Sequence, residues 1–248
     1  SNVTTFQYAD DTTIYASCRP SDLPRHIEDL NLTLDALSSW SADSHLALNP
    51  VKTKAMLLST RQMSWVHSLD QHQLPLRISD ESLERVHLAK LLGVHLHEHL
   101  QWDEHVKQLL KACYGVLSIL RKIKNFTDFK LRKHLVETLL LSKIDYCDTV
   151  FYPLPDFLLK RLQRLQFAAG SFVTGRYIRD TNNIIKLGWL PIKERRDFHL
   201  LKLVYKALNF QSWPSYLSIK EVAPVRDLRS NIAKRLAIPL EKNTFQDS

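Results

Sequence analysis

The most constraining stretch of the chain is Phe6-Gln7-Tyr8-Ala9-Asp10-Asp11-Thr12-Thr13-Ile14-Tyr15. Phe6 and Tyr8 on one side, and Thr12, Thr13, Ile14 and Tyr15 on the other, are aromatic or β-branched types that suit a pleated surface. Asp10 and Asp11 fall between them, where short carboxylate side chains tolerate turn geometry. The stretch therefore predicts strand, tight turn and strand, with adjacent carboxylates at the tip. Such a tip is hard, oxygen-rich and doubly negative. It suits Mg²⁺, which takes one or two carboxylates together with substrate phosphates and water. An Asp pair in a turn is also ordinary solvated loop chemistry, so the pair needs support from the rest of the chain.

The 248 residues, 44% hydrophobic and 24% charged, can build one large domain or two small ones and exclude disorder throughout. No run of 18 apolar residues predicts a membrane span, and no charged-then-apolar leader opens the chain. Cys18, Cys113 and Cys147 are odd in number, far apart and without metal-ligand spacing, which predicts reduced thiols and an intracellular setting. The net charge of +8 is unevenly spread: residues 1–100 carry −4, residues 101–210 carry +10 and residues 211–248 carry +2. An acidic part that can hold metal, followed by a basic part that can grip a polyanion, fits a nucleic-acid enzyme. The same charges also serve plain solubility.

After the hairpin, Ser21 is a candidate N-cap for a helix whose buried face is Leu23, Ile27, Leu30, Leu34 and Leu37, with Trp40 close behind. Asn49-Pro50 breaks the chain, and Lys54 to Ser59 reads as a short buried strand. Residues 60–75 read as a polar loop. Short strands are expected at Leu76–Ile78, Leu83–His87 and Leu91–Leu96, forming a small antiparallel sheet. From Trp102 the pattern is helical: one helix to about Ile123, a second over Phe129–Leu141 capped by Asp128 or Thr127, and a third from Phe157 to about Val173. A short helix at 181–187 and another from Pro191 to Leu208 follow. The fold class is α+β, with domains at 1–100 and 101–210 and an irregular tail at 211–248.

Tyr8-Ala9-Asp10-Asp11, followed by Thr and a short apolar strand, resembles the Tyr-x-Asp-Asp signature of reverse transcriptases, and within them the LINE-type, non-LTR retrotransposons. Asn49-Pro50-Val51-Lys52-Thr53 resembles that family's Asn-x-x-Lys-Thr segment, and Leu92-Gly93-Val94 its Leu-Gly-Val hairpin. Further landmarks of the region after the polymerase palm resemble Ile144-Asp145-Tyr146-Cys147, Leu162-Gln163-Arg164-Leu165-Gln166, Trp189-Leu190-Pro191, Tyr205-Lys206-Ala207-Leu208, Pro214-Ser215-Tyr216-Leu217 and Arg226-Asp227-Leu228-Arg229-Ser230. The resemblance spans nearly the whole chain. Where relatives show Asp-Tyr-Cys-Asn and Gln-Asn-x-Ala-Ala-Arg, this chain has Asp148 and Gln166-Phe167-Ala168-Ala169-Gly170, and loss of that amide and arginine is compatible with a decayed copy.

The resemblance implies a partial polymerase palm followed by an all-α, thumb-like region. The complete enzyme would be an RNA-directed DNA polymerase using two Mg²⁺ ions, an RNA template, a DNA primer and dNTPs. Asp10 and Asp11 would be catalytic metal ligands, Lys52 would assist the leaving pyrophosphate, and Leu92, Gly93 and Val94 would support the primer end. The location would be nuclear if the parent element is active. The family's third carboxylate and its fingers belong to an N-terminal part of the same polyprotein. With Ser1 as its first residue, the chain reads as a C-terminal fragment, inactive alone. The rival reading is a non-catalytic nucleic-acid-binding remnant.

The basic run Arg121, Lys122, Lys124, Lys130, Arg132 and Lys133 faces only Asp128. It reads either as a phosphate-binding surface or as a solvated helix junction. His95, His97 and His99 would share a strand face but lack a spaced further ligand, so they read as a half-exposed edge rather than a metal site.

Overall fold

The computed structural model describes residues 3–209 of the chain. It is a mixed α and β protein; among the described residues the strands all precede residue 98 and the later elements are helical. Contacts divide it into two compact units, Ser1–Leu120 and Arg121–Ser248. The division falls in the last turn of α3 (Asp103–Lys122), whereas the change of sequence character lies near residue 100.

In the first unit, β1 (Val3–Tyr8) and β2 (Asp11–Ala16) pair antiparallel, from Val3 opposite Ala16 to Tyr8 opposite Asp11. They lean on α1 (Leu23–Asp43), whose inward residues include Leu23, Ile27 and Leu34. Ile14 anchors the hairpin by packing on a cluster of Leu34, Ala55, Ile78 and Leu83. Asn31 of α1 replaces a strand neighbour: its amide donates to Pro75 O (3.0 Å) and its oxygen accepts from Arg77 N (3.1 Å). Asp22, not Ser21, is the residue before α1, and Trp40 is half exposed rather than on the buried face.

Three further expectations are corrected. The strand predicted over Lys54–Ser59 contracts to β3 (Lys54–Ala55). The predicted loop at 60–75 contains α2 (Arg61–Val66), capped by Thr60, whose hydroxyl accepts from Met63 N (3.2 Å). Periodicity missed it because Met63, Trp65 and Val66 face solvent instead of a core. The predicted antiparallel sheet is a set of separate pairs. Antiparallel β4 (Arg77–Ile78) and β5 (Glu81–Ser82), and β7 (Leu88–Leu91) and β8 (Val94–His97), accompany a parallel pairing of β3 with β6 (Glu84–Arg85). An ion pair between Lys54 and Glu84 fixes the parallel register.

The second unit is helical. Asp128 caps α4 (Phe129–Val136) by accepting from Leu131 N (2.8 Å). The predicted single helix continues through a π-helical turn, Glu137–Leu141, into α5 (Ser142–Asp145). α6 (Asp156–Thr174), α7 (Thr181–Lys186) and α8 (Ile192–Asn209) complete it. Phe151, Leu140, Leu158, Leu162, Leu165, Ile184 and Ile192 are fully buried. α6 ends on Gly175 at φ +73°, the left-handed closing position that glycine takes without a Cβ penalty. The predicted tail at 211–248, with its Pro214–Leu217 and Arg226–Ser230 landmarks, lies outside the described residues.

Candidate functional site

Ala9 and Asp10 are the two loop residues of the β1–β2 hairpin, since Tyr8 and Asp11 are its last paired positions. Ala9 sits at φ +54°. A positive φ at the first residue of a two-residue hairpin loop is normally supplied by glycine, so the tip is held in a conformation that costs a side-chain-bearing residue about 1 kcal/mol. Asp10 and Asp11 are both exposed. Neither carboxylate has a hydrogen bond or ion pair among the described residues, which leaves their oxygens available. Two unengaged, hard oxygen donors fit the protein share of a Mg²⁺ shell, whose other positions belong to phosphates and water.

Lys52 lies in a loop whose shape explains its neighbours. The Asn49 side chain accepts from Lys52 N (3.0 Å), Thr53 N bonds Asn49 O (3.0 Å), and the Thr53 hydroxyl donates to the same carbonyl (2.9 Å). Asn49 and Thr53 thus lock a tight loop, the usual work of such side chains, and Lys52 is left exposed on it. Leu92 (φ +44°) and Gly93 (φ +85°) are the two loop residues of the β7–β8 hairpin, with Val94 buried. Successive positive φ values define the tight I′ geometry, which Gly93 meets freely and Leu92 does not. Among the described residues, no side-chain hydrogen bond or ion pair joins Lys52 to the Asp pair.

The basic run divides into two kinds of residue. Arg132 is structural: it donates to Asp128 O (3.1 Å) and across to Phe172 O (3.3 Å), near the end of α6. Lys124 and Arg132 both flank Gly175 there, and cations at a helix C-terminus complement its dipole. Lys133 pairs with Glu137 (3.7 Å). Arg121, Lys122 and Lys130 are exposed and have no ion-pair partner among the described residues.

Two acid–histidine groups escaped the sequence reading: Asp70, Glu98 and His99 in the first unit, and Asp145, Asp148 and His199 in the second. In each, one member is distant in sequence from the other two (Asp70 from Glu98 and His99, His199 from Asp145 and Asp148), so spacing carried no signal. Both are already balanced by protein cations. Buried Glu98 meets His87 (2.7 Å) and Arg85 (3.6 Å). Asp145 takes a two-pronged bond from Arg195, holding that guanidinium's proton more tightly than usual, and Asp148 meets His199 (2.6 Å). Arg196 beside them is almost fully buried, donates to Asp148 O and Phe151 O (2.8 Å each) and lies 4.6 Å over the Phe151 ring. Burial lowers its pKa, because a desolvated cation is disfavoured. His95, His97 and His99 are each half-buried; His99 Nδ1 is 3.1 Å from Ser59 O, and His95 N donates to His105 Nδ1 (3.3 Å).

Two of the later landmarks, Leu162–Gln166 and Trp189–Pro191, meet through side-chain hydrogen bonds. Buried Gln166 donates to Leu190 O (2.9 Å) and accepts from Gln163, whose own oxygen accepts from Ile192 N (2.9 Å). The Trp189 indole donates to Glu137 (2.7 Å). Gly170 is equally committed: a Cβ there would lie 3.2–3.3 Å from methyl groups of Ile178, Ile184 and Leu187. No helix among the described residues is long and apolar enough to cross a membrane. Comparison with protein-family models, curated proteins and solved structures finds no match.

Proposed function

We propose that this chain is the C-terminal palm and thumb-like part of an RNA-directed DNA polymerase of the non-LTR retrotransposon type. The observation that carries the reading is the hairpin tip: two adjacent, exposed, unengaged carboxylates on a strained two-residue turn anchored to a helix. Strain retained at an exposed tip is worth keeping where it positions chemistry. Two Mg²⁺ ions, when bound, stabilise the attacking and leaving oxygens of nucleotidyl transfer. Asp10 and Asp11 supply negative oxygen ligands, Asp10 being the more critical. Lys52, on its locked loop, offers an ammonium that can neutralise or protonate the departing pyrophosphate. The Leu92–Val94 turn brings backbone close to the primer end, where only glycine leaves room. The exposed basic residues hold the RNA–DNA hybrid through its phosphates.

Primer extension tests this reading. The isolated chain is expected not to extend a primed RNA template, because two carboxylates under-coordinate a two-metal site. Joined to an upstream polymerase segment bearing the third carboxylate, it is expected to extend. Asp10→Asn should then abolish extension, Asp11→Asn should reduce it less, and Lys52→Ala should slow it. Extension that is indifferent to Asp10→Asn contradicts the assignment.

A further inference from the structure

We propose that the junction between α3 and α4 is a stacking platform for an unpaired nucleotide, with Phe126 beneath the base and Arg121, Lys122 and Lys130 meeting the flanking phosphates. The inference deepens the polymerase reading and rests on it for the identity of the nucleic acid as template. Phe126 is 87% exposed, more than any other large apolar side chain among the described residues. Nothing in its own turn explains that exposure as looseness. Phe126 N bonds Ile123 O (3.0 Å), Thr127 N bonds Lys124 O (3.3 Å), and the Thr127 hydroxyl donates to both carbonyls (3.2 and 3.0 Å). The ring therefore stands on an ordered backbone, and a ligand stacking on it does not bear the cost of ordering a loop.

Charge identifies the occupant. Between Arg121 and Lys133 six cations face one carboxylate, Asp128, and that carboxylate is engaged as the cap of α4. Arg132 and Lys133 are occupied by Phe172 O and Glu137. Lys124 sits beside Gly175, so the exposed cations within five residues of Phe126 in sequence are Arg121, Lys122 and Lys130, with Phe129 half exposed next to them. An exposed aromatic ring among unpaired cations matches a strand that offers phosphates and a free base face. Bases inside a duplex already stack on each other, so the ring selects unpaired, single-stranded nucleotides. A protein partner would use the ring but would need its own carboxylates to meet the cations.

The test uses the full chain and two labelled RNA–DNA hybrids of equal duplex length, one blunt and one with a single-stranded RNA overhang. Anisotropy should show tighter binding of the overhang hybrid. Phe126→Ala should remove that preference, weakening overhang binding by roughly 5- to 150-fold, the span of base–aromatic stacking, and should leave blunt-hybrid affinity and the salt slope unchanged. Phe126→Trp should retain the preference. Replacing Arg121, Lys122 and Lys130 by Ala should weaken both hybrids and flatten the salt slope by about 0.9 log units per lost contact on a B-DNA scale. Binding that depends on the three cations but ignores Phe126 overturns the platform while leaving the polymerase reading intact. Absence of hybrid binding at low salt overturns both. A change in self-association on Phe126→Ala, with hybrid binding unaltered, assigns the ring to a protein contact and overturns the inference.

Discussion

At the scale of single residues, several polar groups of the helical part hold the fold. Gln166 is fully buried and links α6 to the Leu190 carbonyl while accepting from Gln163, so its removal breaks two hydrogen bonds at once. Gln166→Leu is expected to cost about 1–3 kcal/mol, read as a lower urea midpoint at unchanged slope. Asp145→Ala leaves the partly buried Arg195 without its two-pronged partner and is expected to cost about 2 kcal/mol. Gly170→Arg would push a guanidinium among Ile178, Ile184 and Leu187. The expected cost is about 3–5 kcal/mol, and a variant as stable as the parent contradicts the packing described for α6. Gly170 is therefore fitted to this core, and Asp148 meets His199 and is almost fully buried. None of this was legible beforehand, because a lone Gln or Gly announces nothing until its distant partner is known. Arg132 shows the opposite case: its place in a charge run suggested phosphate, but its contact with Phe172 O, forty residues away, makes it a structural clamp.

At the scale of elements, legibility followed turn chemistry and burial. The β1–β2 hairpin could be read because β-branched and aromatic residues flank two aspartates, and α1, α3, α6 and α8 because their apolar residues recur at helical spacing. α2 could not, since its apolar side chains are solvent-facing, and the two-residue β3–β6 pairing is too short to leave a pattern. The strained turns supply the element-scale prediction. Leu92 at φ +44° occupies a position that glycine accepts without cost. Leu92→Gly is expected to stabilise the β7–β8 hairpin by about 1 kcal/mol, seen as a higher melting temperature. If that turn supports the primer end, the same variant should lower extension by the completed polymerase despite its greater stability. A gain in both stability and extension would falsify a primer-supporting role for Leu92.

At the scale of the molecule, the two units differ in how deeply they bury their residues. The strand-bearing part of the first, residues 3–97, rests on small clusters, Leu34 with Ala55, Ile78 and Leu83, and Leu23 with Ile27 and Leu69, and its hairpin keeps Phe6, Tyr8 and Tyr15 at 42%, 68% and 46% exposure. The second has seven or more fully buried large side chains. Local stability follows buried apolar contact, so amides of β1 and β2 should exchange far faster than those of α6 in hydrogen-exchange mass spectrometry. Equal protection would contradict this ranking. The central claim is that the ion-holding position of the chain is the Asp10–Asp11 tip and neither acid–histidine group. Titrating Mn²⁺ in place of Mg²⁺ into the isotope-labelled chain tests it directly, because paramagnetic broadening marks the residues nearest the ion even when binding is weak. The account predicts that amide signals of Tyr8 to Thr12 fade first, and that Asp10→Asn restores them. Fading that begins instead around Asp70, Glu98 and His99, or around Asp145, Asp148 and His199, would contradict it.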